Sequence, residues 1–392
     1  MTLKIVNHTD VDTKIQNFSK DRYIDQRFME DEWDHVWRSN WLLAGLTSDV
    51  AKTGDYFVFD LGREQILISK TTTGEVQGFY NVCQHRGNRL VAEERGHAVN
   101  FRCAYHAWTY TVDGELKIIP YEERFLDGVP CAERSLKKVH TACWNGFVFI
   151  SMAAEPPALM DFLGPVADIL APYRFNDMVL VEDQTVHLNC NWKAVVDNFS
   201  ELYHVDFLHP QHKRMVDCCN DTVRLFKNGH IGVEVPGATV NPRFPVPDMP
   251  TDIQTVQLKS IGLDPKDFHG RVMEVREAVQ QQKRKVGPQR GIDYTGLSDD
   301  QLSDVWQYNL FPNIILSFTP EHCWVMRVRP HADDPKKCEF DKLSLVMFAN
   351  PDTAETHNEI LGPGRHSVSS DGLLPEDFSR PVRDVFNYDA VI

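Results

Sequence analysis

The chain is short of positive charge: 41 Lys and Arg stand against 56 Asp and Glu in 392 residues, a formal charge of −15. Gripping a nucleic-acid backbone takes clustered cations, so this balance argues against such a partner. Long apolar runs are missing too. A membrane span takes about 18 or more apolar residues in a row, and the most apolar stretch, ACWNGFVFISMAA (142–154), is shorter and strand-like. The opening MTLKIVNHTDVDTK lacks the apolar core of a secretory signal, which makes the cytoplasm the expected location. No repeat or low-complexity tract points to a solenoid or propeller, and no GxGxxG fingerprint offers a dinucleotide site. Nine cysteines, an odd count in a long chain read as intracellular, are poor material for a disulfide framework.

What remains is an ordinary globular composition, 42% hydrophobic and 25% charged, enough for a sizeable core. At about 100–200 residues per domain the length fits two or three domains. Residues 22–38 place Phe28, Met29, Trp33, Val36 and Trp37 on one stripe of an amphipathic helix. From 41 to about 153 short β-rich runs follow: YFVFDL (56–61), QILISK (65–70), VQGFYNV (76–82) and GFVFISM (146–152), with turn signals TTTGE and DGE between them. AEPPALMDFLGP (154–165) reads as a linker. Beyond it, LVEDQTVHLNCNW (180–192) reads as a strand leading into a helix over 193–206, and 269–285 as another helix. NIILSFTP, CWVMRVRP and DKLSLVMFAN alternate like antiparallel strands. Prolines crowd 235–260 and predict no regular structure there. Strands and helices in separate runs predict an α+β fold. The expected domains are an N-terminal helical segment of the larger domain (1–40), a small all-β domain (41–155) and a larger α+β domain (156–392).

Seven of the cysteines, Cys131, Cys143, Cys190, Cys218, Cys219, Cys323 and Cys338, show no metal-like spacing with nearby histidines and read mostly as buried, inert thiols. Cys83 and Cys103 differ. CQHRGNRL (83–90) and CAYHAW (103–108) form C-x-H, seventeen residues, C-x-x-H. Two Cys and two His on two loops suit zinc, but structural zinc sites usually space ligands C-x2–4-C or H-x3–5-H. The spacing here resembles a Rieske [2Fe–2S] site, where two thiolates hold one iron and two imidazoles the other. Gly87 supplies a tight turn and Trp108 a shield against water.

Downstream, NWKAVVDNFSELYHVDFLHP (191–210) sets His204 and His209 five residues apart amid Asp197, Asn198, Glu201 and Asp206. Helical spacing puts Asp197, Glu201 and His204 on nearly one face. Such a face suits a metal-bound His with a carboxylate behind it. Two His and one carboxylate make the facial triad of non-heme Fe(II) oxygenases.

With both blocks and YNLFPNIILSF (308–318), the chain resembles the α (large, catalytic) subunit of the Rieske non-heme iron, ring-hydroxylating oxygenases over most of its length. The resemblance implies that Cys83 and Cys103 bind one cluster iron and His85 and His106 the other. It implies that His204 and His209 hold the mononuclear iron, with Asn198 near it. Glu201 takes the place of the acid that bridges a Rieske His of one subunit to an iron His of its neighbour in a head-to-tail trimer, either a homotrimer or α3β3. Aspartate is usual there in ring dioxygenases; glutamate resembles the branch acting on quaternary ammonium and related compounds. The family's third ligand is a late Asp. Asp371, Asp377, Asp384 and Asp389 all lie outside the familiar context, and FNYDAVI (386–392) reads as the lead-in to that helix, so the chain is expected to stop just short of the ligand, the sequence being truncated or the site completed in another way.

The function implied is O2-dependent oxygenation of a small organic substrate, with electrons from NAD(P)H arriving through a reductase, with or without a ferredoxin. Hydroxylation or dihydroxylation of an aromatic ring is the leading reading. Demethylation or hydroxylation of a quaternary-ammonium or methoxy compound is the second, and a non-catalytic Rieske electron carrier the third.

Overall fold

A computed structural model of the chain describes residues 4–9, 18–126, 128, 132–209, 213–214 and 216–348, and the strands His357–Asn358, Gly362–Pro363 and Arg365–Ser369. Two compact units make up the chain. The smaller is Ile24–Phe162 with Arg329–Pro335; the larger is Met1–Tyr23, Leu163–Val328 and Lys336–Ile392.

In the smaller unit seven strands form one sheet in the order Leu42–Leu46, Phe147–Ser151, Lys138–Trp144, Val76–Tyr80, Gln65–Lys70, Asp55–Asp60, Arg95–His97. A second sheet joins Asn100–Arg102, Thr109–Thr111 and Leu116–Ile118. Phe79, Leu90, Phe101, Trp108, Tyr110 and Leu116 pack into one core with Cys83 and Cys103. The N-terminal helices Asp21–Ile24 and Gln26–Glu32 continue as a π-helical turn, Trp33–Trp37. From Ile24 on, this segment groups with the smaller unit, not with the larger one to which residues 1–40 were expected to belong. A clasp explains it. Arg63 pairs with Glu30 and lies 5.1 Å over the ring of Trp33, while Glu64 pairs with Arg38 at 3.0 Å. Trp33 and Trp37 are buried in this segment.

The larger unit holds a nine-stranded sheet ordered Lys4–Asn7, Thr222–Leu225, Ile231–Val235, Val305–Leu310, Ile314–Thr319, His322–Pro330, Cys338–Val346, Val179–Leu188, Arg365–Ser369. Both edge strands pair parallel to their neighbours, and Thr222–Leu225 through His322–Pro330 run antiparallel. Side chains alternate across the pleat. Trp306, Tyr308 and Phe318 meet Tyr173 and Phe175 on one face. Gln307, Asn309 and Phe340 point to the other, where the segment around Phe199 packs.

Two expectations need correcting. The helix read over 193–206 breaks after Trp192–Asn198, and only a short turn, Val205–Leu208, resumes it. The sheet causes the break: Gln307 Nε2 and Asn309 Nδ2 (3.2 Å) both donate to the carbonyl of Phe199. The proline-rich 235–260 contains a helix after all, Asp252–Ser260. Thr251 and Gln254 form a capping box, a sequence signal that outweighs the prolines before it. The expected helix over 269–285 is present as a 3-10 turn Val272–Glu274 running into Val275–Val286.

Candidate metal centres

Cys83 and Cys103 head two loops built alike. The carbonyl of Cys83 accepts the N–H of Gly87 at 3.0 Å, and the Cys83 N–H donates to Asn88 O at 2.8 Å. In the second loop Cys103 O accepts from Ala107 at 3.0 Å, and Cys103 N–H donates to Trp108 O at 2.9 Å. Each loop closes through a left-handed residue, Gly87 at φ +73° and Ala107 at φ +58°. The first loop follows strand Val76–Tyr80; the second is the tip of the hairpin Asn100–Arg102/Thr109–Thr111. A cysteine at the head of such a turn, with a histidine two or three residues on, projects sulfur and imidazole from one small arc.

The four side chains form two pairs, the thiols on one hand and the imidazoles on the other. Cys83 and Cys103 are 1% and 3% exposed and share one buried core cluster. The rings of His85 and His106 are 4.7 Å apart, and Trp108 stacks on His85 at 4.7 Å, only 9° from parallel. Two partners of the sulfurs were not foreseen. Tyr110 places its hydroxyl 3.4 Å from Cys83 Sγ while accepting the Gln84 N–H at 3.0 Å, and Asn88 Nδ2 donates to Cys103 Sγ at 3.7 Å. Burial pushes the Cys83 thiol up, so its thiolate form calls for a bound cation. Burial, followed by the neighbouring His106, Arg86 and Arg134, holds His85 below the usual imidazole range and so in the neutral, ligand form.

The second centre begins at the end of helix Trp192–Asn198. Asn191 caps its start by accepting the Lys193 N–H at 3.0 Å. Ser200 Oγ donates back to Val196 O at 2.7 Å and accepts from Asn309 Nδ2 at 2.9 Å, while the Phe199 ring stacks on Phe340. The chain so anchored presents Glu201 and His204. Oε1 of Glu201 lies 2.6 Å from Nδ1 of His204, and the rings of His204 and His209 stand 5.3 Å apart. Between the two histidines, buried Asp206 pairs with Arg243 and accepts from Asn241 Nδ2 at 3.0 Å, which fixes the turn Val205–Leu208. Burial, then His204, lowers the pKa of His209.

Asp197 does not join this group, because the broken helix leaves it accepting from Tyr23 Oη at 2.7 Å. Asn198 is exposed at the helix end. Asp371, Asp377, Asp384 and Asp389 lie outside the described residues. Among the described residues no three His, Cys, Asp or Glu side chains are arranged around a single metal ion. The donors come in pairs.

Comparison with known proteins matches both halves of this arrangement. Residues 40–139 match the Rieske [2Fe–2S] domain, and residues 175–361 match the catalytic domain of the ring-hydroxylating α subunit. The chain belongs to the Rieske ring-hydroxylating oxygenase family.

Within that family it is 34% identical over 189 residues to the glycine betaine monooxygenase oxygenase subunit of Pseudomonas aeruginosa, covering 48% of this chain and 44% of that one. It is 34% identical over 191 residues to the large oxygenase component of the naphthalene 1,2-dioxygenase system of Ralstonia sp, covering 47% and 43%. The chain thus matches less than half the length of these relatives. Naphthalene 1,2-dioxygenase with indole bound shares the fold at a TM-score of 0.63 and 22% identity, over 93% of this chain and 73% of that one. A quaternary ammonium Rieske monooxygenase in complex with L-carnitine does so at 0.64 and 19%, over 95% and 82%.

A Rieske cluster asks for two thiolates and two imidazoles. The buried thiol pair and the facing histidines of the smaller unit fit that donor set. A Rieske oxygenase also binds a mononuclear iron, and the facial triad takes two imidazoles and a carboxylate. His204 and His209 fit the imidazole part. Among the described residues no helix is long and apolar enough to cross a membrane.

Proposed function

We propose that the chain is the O2-consuming catalytic component of a Rieske oxygenase system that hydroxylates or demethylates a small organic compound. Cys83, Cys103, His85 and His106 hold the cluster, and His204 and His209 the mononuclear iron. When bound, the cluster supplies one-electron transfer and the iron supplies O2 activation.

The residues' own tasks follow from their contacts. His204 donates its Nδ1 proton to Glu201, which fixes the tautomer and turns Nε2 outward as the ligand atom. The Glu201 side chain remains 46% exposed, leaving lone pairs for an imidazole of a neighbouring subunit. Gln307, Asn309 and Phe340 hold the chain before Glu201, and Asp206 with Arg243 and Asn241 holds it after His204. Electrons come from NAD(P)H through a reductase, with or without a ferredoxin, since the sequence has no dinucleotide fingerprint. A trimer of this chain, alone or with a second subunit, would supply the neighbour that Glu201 needs.

The observation that carries the reading is the hydrogen bond that Glu201 accepts from His204, set beside His209 in a chain that also holds a buried pair of cysteines and a facing pair of histidines. Of the substrate classes, a small polar cation or methylated compound is the better supported. Glutamate stands at position 201. In addition, the sheet face that bears Phe340 also carries Lys342 and Ser344 and, on the neighbouring strands, Glu182, His322 and Trp324. The glycine betaine relative is in keeping with this. The test is turnover of the iron-loaded protein with a matched reductase, offered betaines and fused-ring arenes in parallel. Oxygen uptake coupled to product from a betaine alone supports this reading. Coupled product from arenes alone overturns the substrate class, and no product after iron loading overturns the enzyme.

A further inference from the structure

Gln307 and Asn309 lie two residues apart on strand Val305–Leu310 and so share one face of the sheet. The strand is paired on both sides, Gln307 with Val233 and Ser317, Asn309 with Ile231 and Ile315, which holds both carboxamides in fixed positions. Gln307 Nε2 and Asn309 Nδ2 donate to the Phe199 carbonyl, so its two lone pairs are taken. Asn309 Nδ2 also donates at 2.9 Å to Ser200 Oγ, whose own proton goes to Val196 O. This network fixes which end of the Asn309 amide is nitrogen: turned over, its oxygen would face the Phe199 carbonyl. Asn309 is 5% exposed, and its Oδ1 is buried with no hydrogen-bond partner among the described residues. The site keeps both donations and leaves the acceptor unmet.

Helical segments flank the break, Trp192–Asn198 before it and Val205–Leu208 after it. Extending a helix is far easier than starting one, so segments this close tend to merge unless something stops them. In a merged helix the Phe199 carbonyl would accept the Tyr203 N–H, and the Ser200 carbonyl the His204 N–H. Here the His204 N–H donates instead to Glu201 Oε2 at 3.1 Å, while Oε1 lies 2.6 Å from the ring. We propose that Gln307 and Asn309 are positioning residues for His204: by saturating the Phe199 carbonyl they keep the helix broken and leave the His204 N–H to Glu201. This rests on the reading of His204 as an iron ligand and adds the two side chains that prepare it.

Tyr203 supplies the discriminating test. Leu202 O accepts the Val205 N–H at 3.1 Å, which makes Tyr203 the second residue of a turn, a position that favours proline. Proline has no N–H for the Phe199 carbonyl, and in a helix its ring would clash with that carbonyl. Tyr203 is 80% exposed, so replacing it leaves the core intact. Y203P therefore breaks the helix without help from the carboxamides.

The full-length protein, its cluster oxidised and EPR-silent, is stripped of mononuclear iron and titrated anaerobically with Fe(II). Bound iron is read by EPR as its nitric oxide adduct. Q307M/N309L should keep the Rieske absorbance and bind Fe(II) at least about tenfold more weakly than wild type. Y203P alone should match wild type, and Y203P/Q307M/N309L should regain most of the lost affinity. Equal affinity in Q307M/N309L and wild type overturns the proposal, as does a loss that Y203P leaves uncorrected. Should Q307M/N309L not fold, Q307M takes its place under the same comparison. A wild-type protein without a nitrosyl signal overturns the iron reading and the proposal with it, whereas the other two failures leave the iron reading standing.

Discussion

Oε1 of Glu201 stands 2.6 Å from Nδ1 of His204, and Oε2 of the same carboxylate accepts the backbone N–H of His204 at 3.1 Å. One side chain thus fixes both the ring and the main chain of the proposed iron ligand His204. A carboxylate behind a metal-bound imidazole raises its basicity and sets its rotation.

E201Q keeps the shape and removes the charge. The variant is expected to keep the Rieske absorbance spectrum, because residue 201 lies outside the cluster loops. Product formed in a single turnover from the reduced protein should slow by about 10- to 100-fold. E201D, one methylene shorter, should recover part of that loss. Wild-type turnover by E201Q would remove Glu201 from both the orienting and the bridging role.

Tyr110 offers a test in the smaller unit. Its hydroxyl lies 3.4 Å from Cys83 Sγ, and the Gln84 N–H donates to its oxygen at 3.0 Å. Hydrogen bonds to cluster sulfurs help set the potential by stabilising the more negative, reduced state. Y110F should therefore assemble the cluster and lower its midpoint potential, as read by redox titration of the visible spectrum. An unchanged potential would mean that the hydroxyl does not donate to the thiolate.

How far these sites were legible in the sequence depends on how local their causes are. The four proposed cluster donors and His204, Glu201 and His209 sit in two short blocks, where spacing sets which side chains can approach one another. Tyr110 lies only two residues past Trp108 but carried no signal, because a tyrosine in a β-run reads as core. Gln307 and Asn309 lie over a hundred residues from Phe199, and only the strand register shows that they end its helix. That register also separated Asp197 from Glu201 and His204, against the single helical face that the periodicity predicted. The capping box at Thr251 was local and readable, but the prolines around it dominated the reading.

Lys283 and Glu321 form an ion pair at 2.8 Å with side chains only 9% and 10% exposed, and Tyr294 Oη donates to the same carboxylate at 2.7 Å. Removing one member of such a pair strands a buried charge. K283M is expected to destabilise the larger unit by about 3–5 kcal/mol in urea unfolding. K283M/E321Q, which leaves an acceptor for Tyr294 and no stranded charge, should regain most of it. If the double variant were as unstable as the single one, packing of the lysine stem would be the cause instead of its charge.

His322 provides the pH dependence. Its Nε2 lies 2.8 Å from Ser344 Oγ, and its ring meets Trp324 edge-on at 5.0 Å. The charged neighbour is Lys342, itself paired with Glu182 at 3.4 Å. Burial first, and Lys342 second, push His322 from 6.5 to about 3. The folded state therefore holds His322 neutral at pH values where the unfolded chain binds a proton. The stability this contributes is present in full above pH 6.5 and drains away as pH falls toward 3. The slope for one proton is about 1.4 kcal/mol per pH unit. H322Q takes up no proton, so the stability of wild type minus that of H322Q should fall by that slope through the window. Acid effects elsewhere are common to both proteins and cancel in the difference. Urea-unfolding curves at a series of pH values measure it; parallel profiles would show that His322 is protonated, and hydrated, in the folded state.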